Sequence, residues 1–231
     1  MKIISELDEN FICEINAPCF QSLNKKEKKI IHKNKTQILF KKGDTLSKQS
    51  AFSSSVLYII DGVIKTYIET PDGKNYNFSL RTSGDFIGLS SAFSQDTYSY
   101  SSSALTDSHA FVIEKNAISE IMKLNGSFSH HLLSSFCKQN NNIYSIISQL
   151  LYKQMNGRLA DSLLYVNSFK ESIPHIFQLM TRKDIAEFTG ITVESTVKLL
   201  KSYEKDGLIK LHEKDIIISN IKMLEEISKR G

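Results

Sequence analysis

The sequence is short of several things, and each shortage excludes a class of protein. It has no long hydrophobic run. The longest aliphatic stretches are pieces such as Val56-Leu57-Tyr58-Ile59-Ile60 and Ile216-Ile217-Ile218, far below the roughly 20 apolar residues of a membrane-spanning helix. The opening stretch, MKIISELDEN, turns acidic before any long apolar segment, so no signal peptide is expected. Only three cysteines are present. An odd number argues against a disulfide framework and for a reducing compartment, so a cytoplasmic location is expected. Histidines are scattered: His130 and His131 are adjacent and on a helix would point about 100° apart, a poor pair of metal ligands. No nucleophile–base pair and no phosphate-binding loop stands out. The expectation is therefore a protein with no catalytic residues and no metal site.

The 231 residues leave room for one large or two small domains with a real core. Hydrophobic residues at 41% and charged residues at 23% fit a soluble globular chain. A net charge of +4 is a weak hint of a polyanionic partner. Its distribution weakens the hint, because lysines crowd the stretch from Lys25 to Lys48. That crowding reads as the solvated face of a helix and a strand. Charge alone does not point to DNA, so motif and geometry must carry the case.

The composition changes twice along the chain. Residues 36–115 are rich in β-branched and aromatic residues, with runs at 56–60, 63–68, 76–80 and 110–113 between glycine turns. Short strands with regular turn signals predict a β-sandwich or barrel, and Pro71-Asp72-Gly73 predicts a hairpin turn. From Asn116 onward the period becomes helical. Residues 127–155 lack proline, and Leu133, Phe136, Asn140, Ile143, Ile147 and Leu150 recur at spacings of 3, 4, 3, 4 and 3. That is a heptad seam, and a single Asn in such a seam specifies pairing and register. The spacing predicts self-association of two such helices; packing of the helix on its own β-domain is the alternative. Cys137 lies beside the seam, where packing is its expected role. A hinge is expected over 154–158, a helix over 159–166, and a polar linker near Lys170 to Pro174.

The C-terminal unit holds the most specific pattern. Residues 181–205 read TRKDIAEFTGITVESTVKLLKSYEK. Thr181 is a helix N-cap with Asp184 three positions on. Gly190 supplies a turn in left-handed conformation. Thr192 caps a second helix, with Ser195 three positions further. Thr196, Leu199, Leu200 and Tyr203 form the expected buried side, leaving Glu194, Val197, Lys198 and Lys201 outward. The Gly207-Leu208-Ile209 stretch, a polar turn at 212–215 and Ile216-Ile217-Ile218 then predict a hairpin. Short helix, tight turn, capped helix and hairpin is the layout of a winged helix-turn-helix, whose second helix enters the DNA major groove. The expected DNA-contacting set is Thr181, Arg182, Thr192, Val193, Glu194, Ser195, Val197, Lys198 and Lys201, with Glu194 and Lys198 at bases.

At these residues the sequence resembles the CRP/FNR superfamily of transcription regulators. The resemblance is strongest at Arg182-Lys183-Asp184-Ile185-Ala186, from Gly190 to Lys198, and at Asp206-Gly207-Leu208-Ile209. It extends to Gly43-Asp44, Asp61-Gly62-Val63-Ile64-Lys65, Gly84-Asp85-Phe86-Ile87-Gly88, Ala104-Leu105 and the QMNGRLADSLL stretch from Gln154. It implies an α+β chain: a double-stranded β-helix (jelly-roll) sensor domain over 1–126, a dimerisation helix over 127–155, and a winged helix-turn-helix over 156–231. It also implies a homodimer on a palindromic operator in double-stranded DNA, with RNA polymerase as a partner. The family's recognition helix carries Glu followed four positions later by Arg. Here Glu194 is followed by Lys198, a point charge where Arg would offer a bidentate fork to guanine.

Cyclic-nucleotide members of that family hold a phosphate with a Gly-Glu pair and an Arg-Ser pair. Gly84-Asp85 resembles the first, and the second falls near Tyr98-Ser99; these four residues are the expected effector pocket. No arginine lies between Arg81 and Arg158, so cyclic AMP is not expected, and a neutral effector or a pocket packed by its own side chains is. Iron–sulfur members use four cysteines. Cys13 and Cys19 match two of them by spacing, but Asn10 and Phe111 fall where the others would be, so no cluster is expected. The sequence leaves two other readings open. One is a ligand-binding β-roll acting on a protein partner. The other is a cupin-like metalloenzyme, disfavoured because His109 is the only histidine in the roll.

Overall fold

The computed structural model describes residues 2–4, 18–93 and 96–231. They fall into two compact units. The first comprises residues 1–68 and 79–142, and the second residues 69–78 and 143–231.

The first unit is built on β-strands, of which β5 alternates in burial and β4 and β6 are buried over consecutive positions. One sheet has the order β1 (Lys2–Ile4), β2 (Lys35–Phe40), β9 (Ser108–Glu114), β4 (Ser55–Asp61) and β7 (Phe86–Ile87). The other runs β3 (Thr45–Ser47), β8 (Ser101–Ala104), β5 (Ile64–Glu69) and β6 (Asn75–Arg81). Strand β4 explains the layering. Its successive side chains point to opposite faces, and both faces are apolar. Leu57 and Ile59 enter a core with Ile38, Phe40, Ile64, Ile87, Ala104 and Ala110. Val56 and Tyr58 enter a second core with Phe20, Phe86, Phe111 and Ile113.

Helices close that second core. They are α1 (Pro18–Gln21), α2 (Lys25–Lys33), α3 (Leu89–Phe93), α4 (Lys115–Leu124) and the first part of α5 (Gly126–Tyr152). Ala117, Ile118 and Ile121 of α4 and Phe128 and Leu132 of α5 pack there. Each large buried side chain contributes about 1.5–3 kcal/mol. The edge-on Phe20–Tyr58 pair, with centroids 4.8 Å apart, adds about 0.5–1.5 kcal/mol. Helix α2 shows why the lysine run is benign. Asn24 and Glu27 form a capping box, Glu27 and Ile31 are buried, and Lys25, Lys26, Lys29 and Lys33 face solvent.

The strands expected at 56–60, 63–68, 76–80 and 110–113 form at β4, β5, β6 and β9. The turn at Gly73 has φ +76° and closes through Gly73 N–H to the Thr70 carbonyl at 3.0 Å.

The second unit holds the end of α5, α6 (Met155–Asn167), a 3₁₀ turn (Ile176–Leu179), α7 (Arg182–Thr189), α8 (Val193–Lys205), β10 (Ile209–His212), β11 (Asp215–Ile218) and α9 (Ile221–Arg230). The tip of the β5–β6 hairpin belongs to it: the buried Asn77 amide donates to the Asp184 carbonyl at 3.1 Å. Two expectations change here. The break after α5 is only Lys153 and Gln154, because 155–158 already form the first turn of α6. Asn156-Gly157 has the look of a loop, but Gly157 is helical and serves close packing. A Cβ there would lie 2.6 Å from the Gly231 carbonyl carbon. Helix α9 is new; Asn220 caps it by accepting the Met223 N–H, and Leu224 is buried.

Candidate DNA-binding site and sensor interior

The helix-turn-helix is fixed at its corners by local bonds. Thr181 Oγ1 accepts the Asp184 N–H at 3.1 Å, and the Asp184 carboxylate accepts the Thr181 N–H at 2.7 Å. That reciprocal box satisfies two donors that a helix start leaves orphaned. Helix α7 ends at Gly190, which has φ +68°. A Cβ at Gly190 would sit 3.0 Å from the Tyr76 ring and 3.4 Å from Leu150, so both conformation and space call for glycine. Two residues later Thr192 Oγ1 accepts the Ser195 N–H at 3.1 Å and starts α8.

Helix α8 buries Thr196, Leu200 and Tyr203, while Leu199 is half-buried. The Tyr203 hydroxyl donates to the Asn156 carbonyl at 2.7 Å, and burial pushes its phenol pKa up. The opposite side presents Val193, Glu194, Lys198 and Lys201 to solvent, with Ser195 and Val197 half-buried. The expected outward set thus shares one helix face.

Strands β10 and β11 pair antiparallel, Ile209 opposite Ile218. The Leu211 N–H donates to Glu204 Oε1 at 2.8 Å, tying this wing to α8. Arg182 is half-buried, its guanidinium donates to the Glu213 carbonyl at 3.5 Å, and burial draws its pKa down against the opposing pull of Asp215. One bond leaves most of its donors uncommitted. The wing also exposes Lys210, His212 and Lys214, which sequence reading left out. Their signal was charge flanking a predicted turn.

The roll interior is arranged differently from the expected effector pocket. Gly84 and Asp85 form a turn: Gly84 N–H donates to the Ile59 carbonyl at 2.9 Å, and the Asp85 carboxylate accepts the Thr82 N–H at 2.9 Å. Burial raises the Asp85 pKa. The glycine beside Tyr98 is Gly88, where a Cβ would lie 2.8 Å from the Tyr98 ring. Gly88 N–H donates to the Tyr100 hydroxyl at 3.2 Å, and the Tyr98 hydroxyl donates to the Ser55 carbonyl at 3.2 Å. Ser99 is exposed. Buried hydroxyl pairs complete the interior, Ser47 with Ser102 at 2.7 Å and Ser53 with Ser91 at 2.8 Å. Gly88, rather than Gly84, is thus the glycine that meets Tyr98 and Tyr100.

Cys19 is buried, and desolvation raises its thiol pKa to about 11. Cys13 and Asn10 lie outside the described residues, and Phe111 is core. Cys137 is exposed in the single chain, like the seam residues beside it, and lies outside the core that Leu132 and Phe136 meet on the same helix. Among the described residues no three His, Cys, Asp or Glu side chains converge as metal ligands, and no helix is long and apolar enough to cross a membrane. Leu133, Ile143, Ile147 and Leu150 are exposed on α5, while Phe136 and Asn140 are half-buried.

Two family models match the chain. A cyclic nucleotide-binding domain matches residues 37–125, and a Crp-like helix-turn-helix domain matches residues 157–227. The chain belongs to the Crp/Fnr family of transcriptional regulators.

Curated members of the Crp/Fnr family are similar over most of their length. A cAMP-activated global transcriptional regulator CRP from Pasteurella multocida is 24% identical over 75% of this chain and 85% of its own. An anaerobic regulatory protein from Haemophilus influenzae is 27% identical over 84% of this chain and 74% of its own. Among solved structures, a Crp/Fnr-family regulator from Eubacterium rectale covers 92% of this chain and 98% of its own, at TM-score 0.75 and 22% identity. FixK2 from Bradyrhizobium japonicum covers 85% of this chain and 98% of its own, at TM-score 0.73 and 16% identity. The fold is that of the Crp/Fnr family, with strand-built sensor layers, a long helix and a C-terminal helix-turn-helix. The protein is a DNA-binding transcription regulator.

Proposed function

We propose that the protein acts as a homodimer that reads a pseudo-palindromic operator, and that its effector is not cyclic AMP. The observation that carries DNA reading is the α8 face, where Glu194 and Lys198 stand one turn apart and exposed beyond the Thr192 cap. Glu194 and Lys198 contact base edges in the major groove, with Val193, Ser195, Val197 and Lys201 alongside. Thr181, Arg182 and Thr192 contact phosphates. Half-sites lie about one helical turn, roughly 34–36 Å, apart.

Dimerisation runs through α5, along Leu133, Phe136, Asn140, Ile143, Ile147 and Leu150. The support is an exposed apolar seam with heptad spacing. Working boundaries are a sensor over 1–126, a dimerisation helix over 127–155 and a reading head over 156–231. The protein works in the cytoplasm and passes its signal to RNA polymerase, as a regulator and not as an enzyme. Light scattering at micromolar concentration is expected to give twice the chain mass; a monomer mass overturns this reading.

The view of the effector rests on the roll interior. A cyclic nucleotide brings a phosphate charge, and burying a charge without a partner costs several kcal/mol. Here Gly88 N–H already bonds the Tyr100 hydroxyl, and Tyr98 covers the same glycine. The surrounding segment, 97–103, carries only neutral side chains. Isothermal titration is expected to show no cyclic AMP binding at about 100 µM. Micromolar binding would show that a cation elsewhere serves the phosphate.

A further inference from the structure

The first unit contains a cavity of about 380 Å³ walled by three helices. Leu89 and Phe93 come from α3, Met122 from α4, and Leu132, Leu133 and Phe136 from α5. Leu89 and Leu132 are buried and join the core that holds Tyr58 and Phe128. Phe93 and Leu133 stand at the mouth, 54% and 59% exposed in the single chain; Leu133 and Phe136 also belong to the proposed dimer seam, so the mouth at Phe93 is the side that a second copy leaves open. Among the described residues no lining side chain is ionisable, and Ser90 is the single polar residue in the wall.

Size and chemistry narrow the occupant. The volume lies within the range of small-molecule sites, which are mostly apolar with a few polar groups. Water in such a space finds too few hydrogen-bond partners to be held. A charged ligand would lose hydration and meet no counter-charge. The position of α3 adds a second argument. This helix begins directly after Gly88, whose N–H is bonded to Tyr100. Tyr98 and Tyr100 pack against the core between the sheets, whereas Leu89 packs into the core beneath the helices. Tyr98 and Tyr100 thus occupy the roll side of that junction, and the cavity lies on the helical side.

We propose that the cavity between α3, α4 and α5 binds an uncharged, largely apolar small molecule about the size of one or two aromatic rings. Naming that molecule an effector rests on the regulator reading above. The binding test uses no DNA, so its failure leaves operator reading standing, and failed operator reading leaves the cavity untouched.

The full-length protein is titrated with N-phenyl-1-naphthylamine, an uncharged probe that fluoresces in apolar sites. The comparison probe is 8-anilinonaphthalene-1-sulfonate, the same ring skeleton carrying a charge. The expected result is saturable binding of one uncharged probe per chain, about tenfold or more tighter than the sulfonate. Phe93→Lys places a charge at the exposed mouth, and Ser90→Phe fills the volume from its wall. Each is expected to weaken the uncharged probe by about tenfold or more. Phe93 is exposed, so Phe93→Lys reports on the site even where Ser90→Phe disturbs folding. No saturable binding, equal affinity for the two probes, or unchanged binding in Phe93→Lys overturns the proposal. Binding that appears only when Ile143→Asp and Ile147→Asp separate the protomers also overturns it, because a second copy would then be what fills the cavity.

Discussion

The corners of the helix-turn-helix and the interior of the roll are fixed over very different sequence distances. In the helix-turn-helix, Thr181 bonds Asp184 and Thr192 bonds Ser195, each across three positions. In the roll, Ser47 bonds Ser102, Ser53 bonds Ser91 and Tyr98 bonds Ser55, across 55, 38 and 43 positions. A helix cap needs only one side-chain oxygen near the next turn. A roll interior needs strands brought together from distant parts of the chain, with the loop-closure cost that entails. The two corners of the helix-turn-helix are therefore set by their own neighbourhoods, although the body of α8 is held by Tyr203 to Asn156, 47 positions away, while the sensor interior depends on both sheets being in place.

The contrast is tested most severely at α5, which runs from one unit into the other. Changing Ile143→Asp and Ile147→Asp together puts charges on the exposed seam and leaves both cores intact. Light scattering is expected to show monomers. Operator affinity, read by fluorescence anisotropy, is expected to fall by about 10²–10⁴, because two half-sites are no longer engaged together. Unchanged mass and affinity would mean that the seam is not the dimer contact.

Lys198→Ala isolates the reading head. It is expected to cost about 1–3 kcal/mol of specific binding and to relax base preference within each half-site, with the thermal midpoint unchanged. An unaltered selected motif would show that α8 is wrongly placed against the bases. Gly190→Ala acts on folding instead. Its φ of +68° and the Tyr76 ring 3.0 Å from the new Cβ predict a loss of about 1–3 kcal/mol, measured by denaturant melting. The smallest effect is expected from Thr192→Ala, about 1 kcal/mol for a lost N-cap. A loss as large as that of a core deletion would show that the corner is not locally determined.

The same contrast explains what could be read from the sequence. Thr181, Gly190 and Thr192 were legible because a cap or a left-handed turn needs a particular residue at a particular place. The exposed seam was legible because helical period survives in one dimension. Gly84 was read as the pocket glycine on the strength of its neighbour Asp85, yet Gly88 is the one that meets Tyr98 and Tyr100. Nothing near Gly88 in sequence announces tyrosines ten and twelve positions on. Strand β8 is Ser-Ser-Ser-Ala, without β-branched residues; its place is fixed by pairing with β3 and β5. Gly157 resembled a turn because the Gly231 backbone that needs its missing Cβ lies 74 positions away.

Operator reading by a two-fold dimer is tested most directly by selection. The purified full-length protein is incubated with a pool of random duplexes, and the retained fragments are sequenced. The account predicts an inverted repeat whose half-site centres lie about 10–10.5 base pairs apart, or a multiple of that spacing, and whose bases change when Lys198→Ala is selected in parallel. A single asymmetric motif, or a pool that stays random, would contradict it.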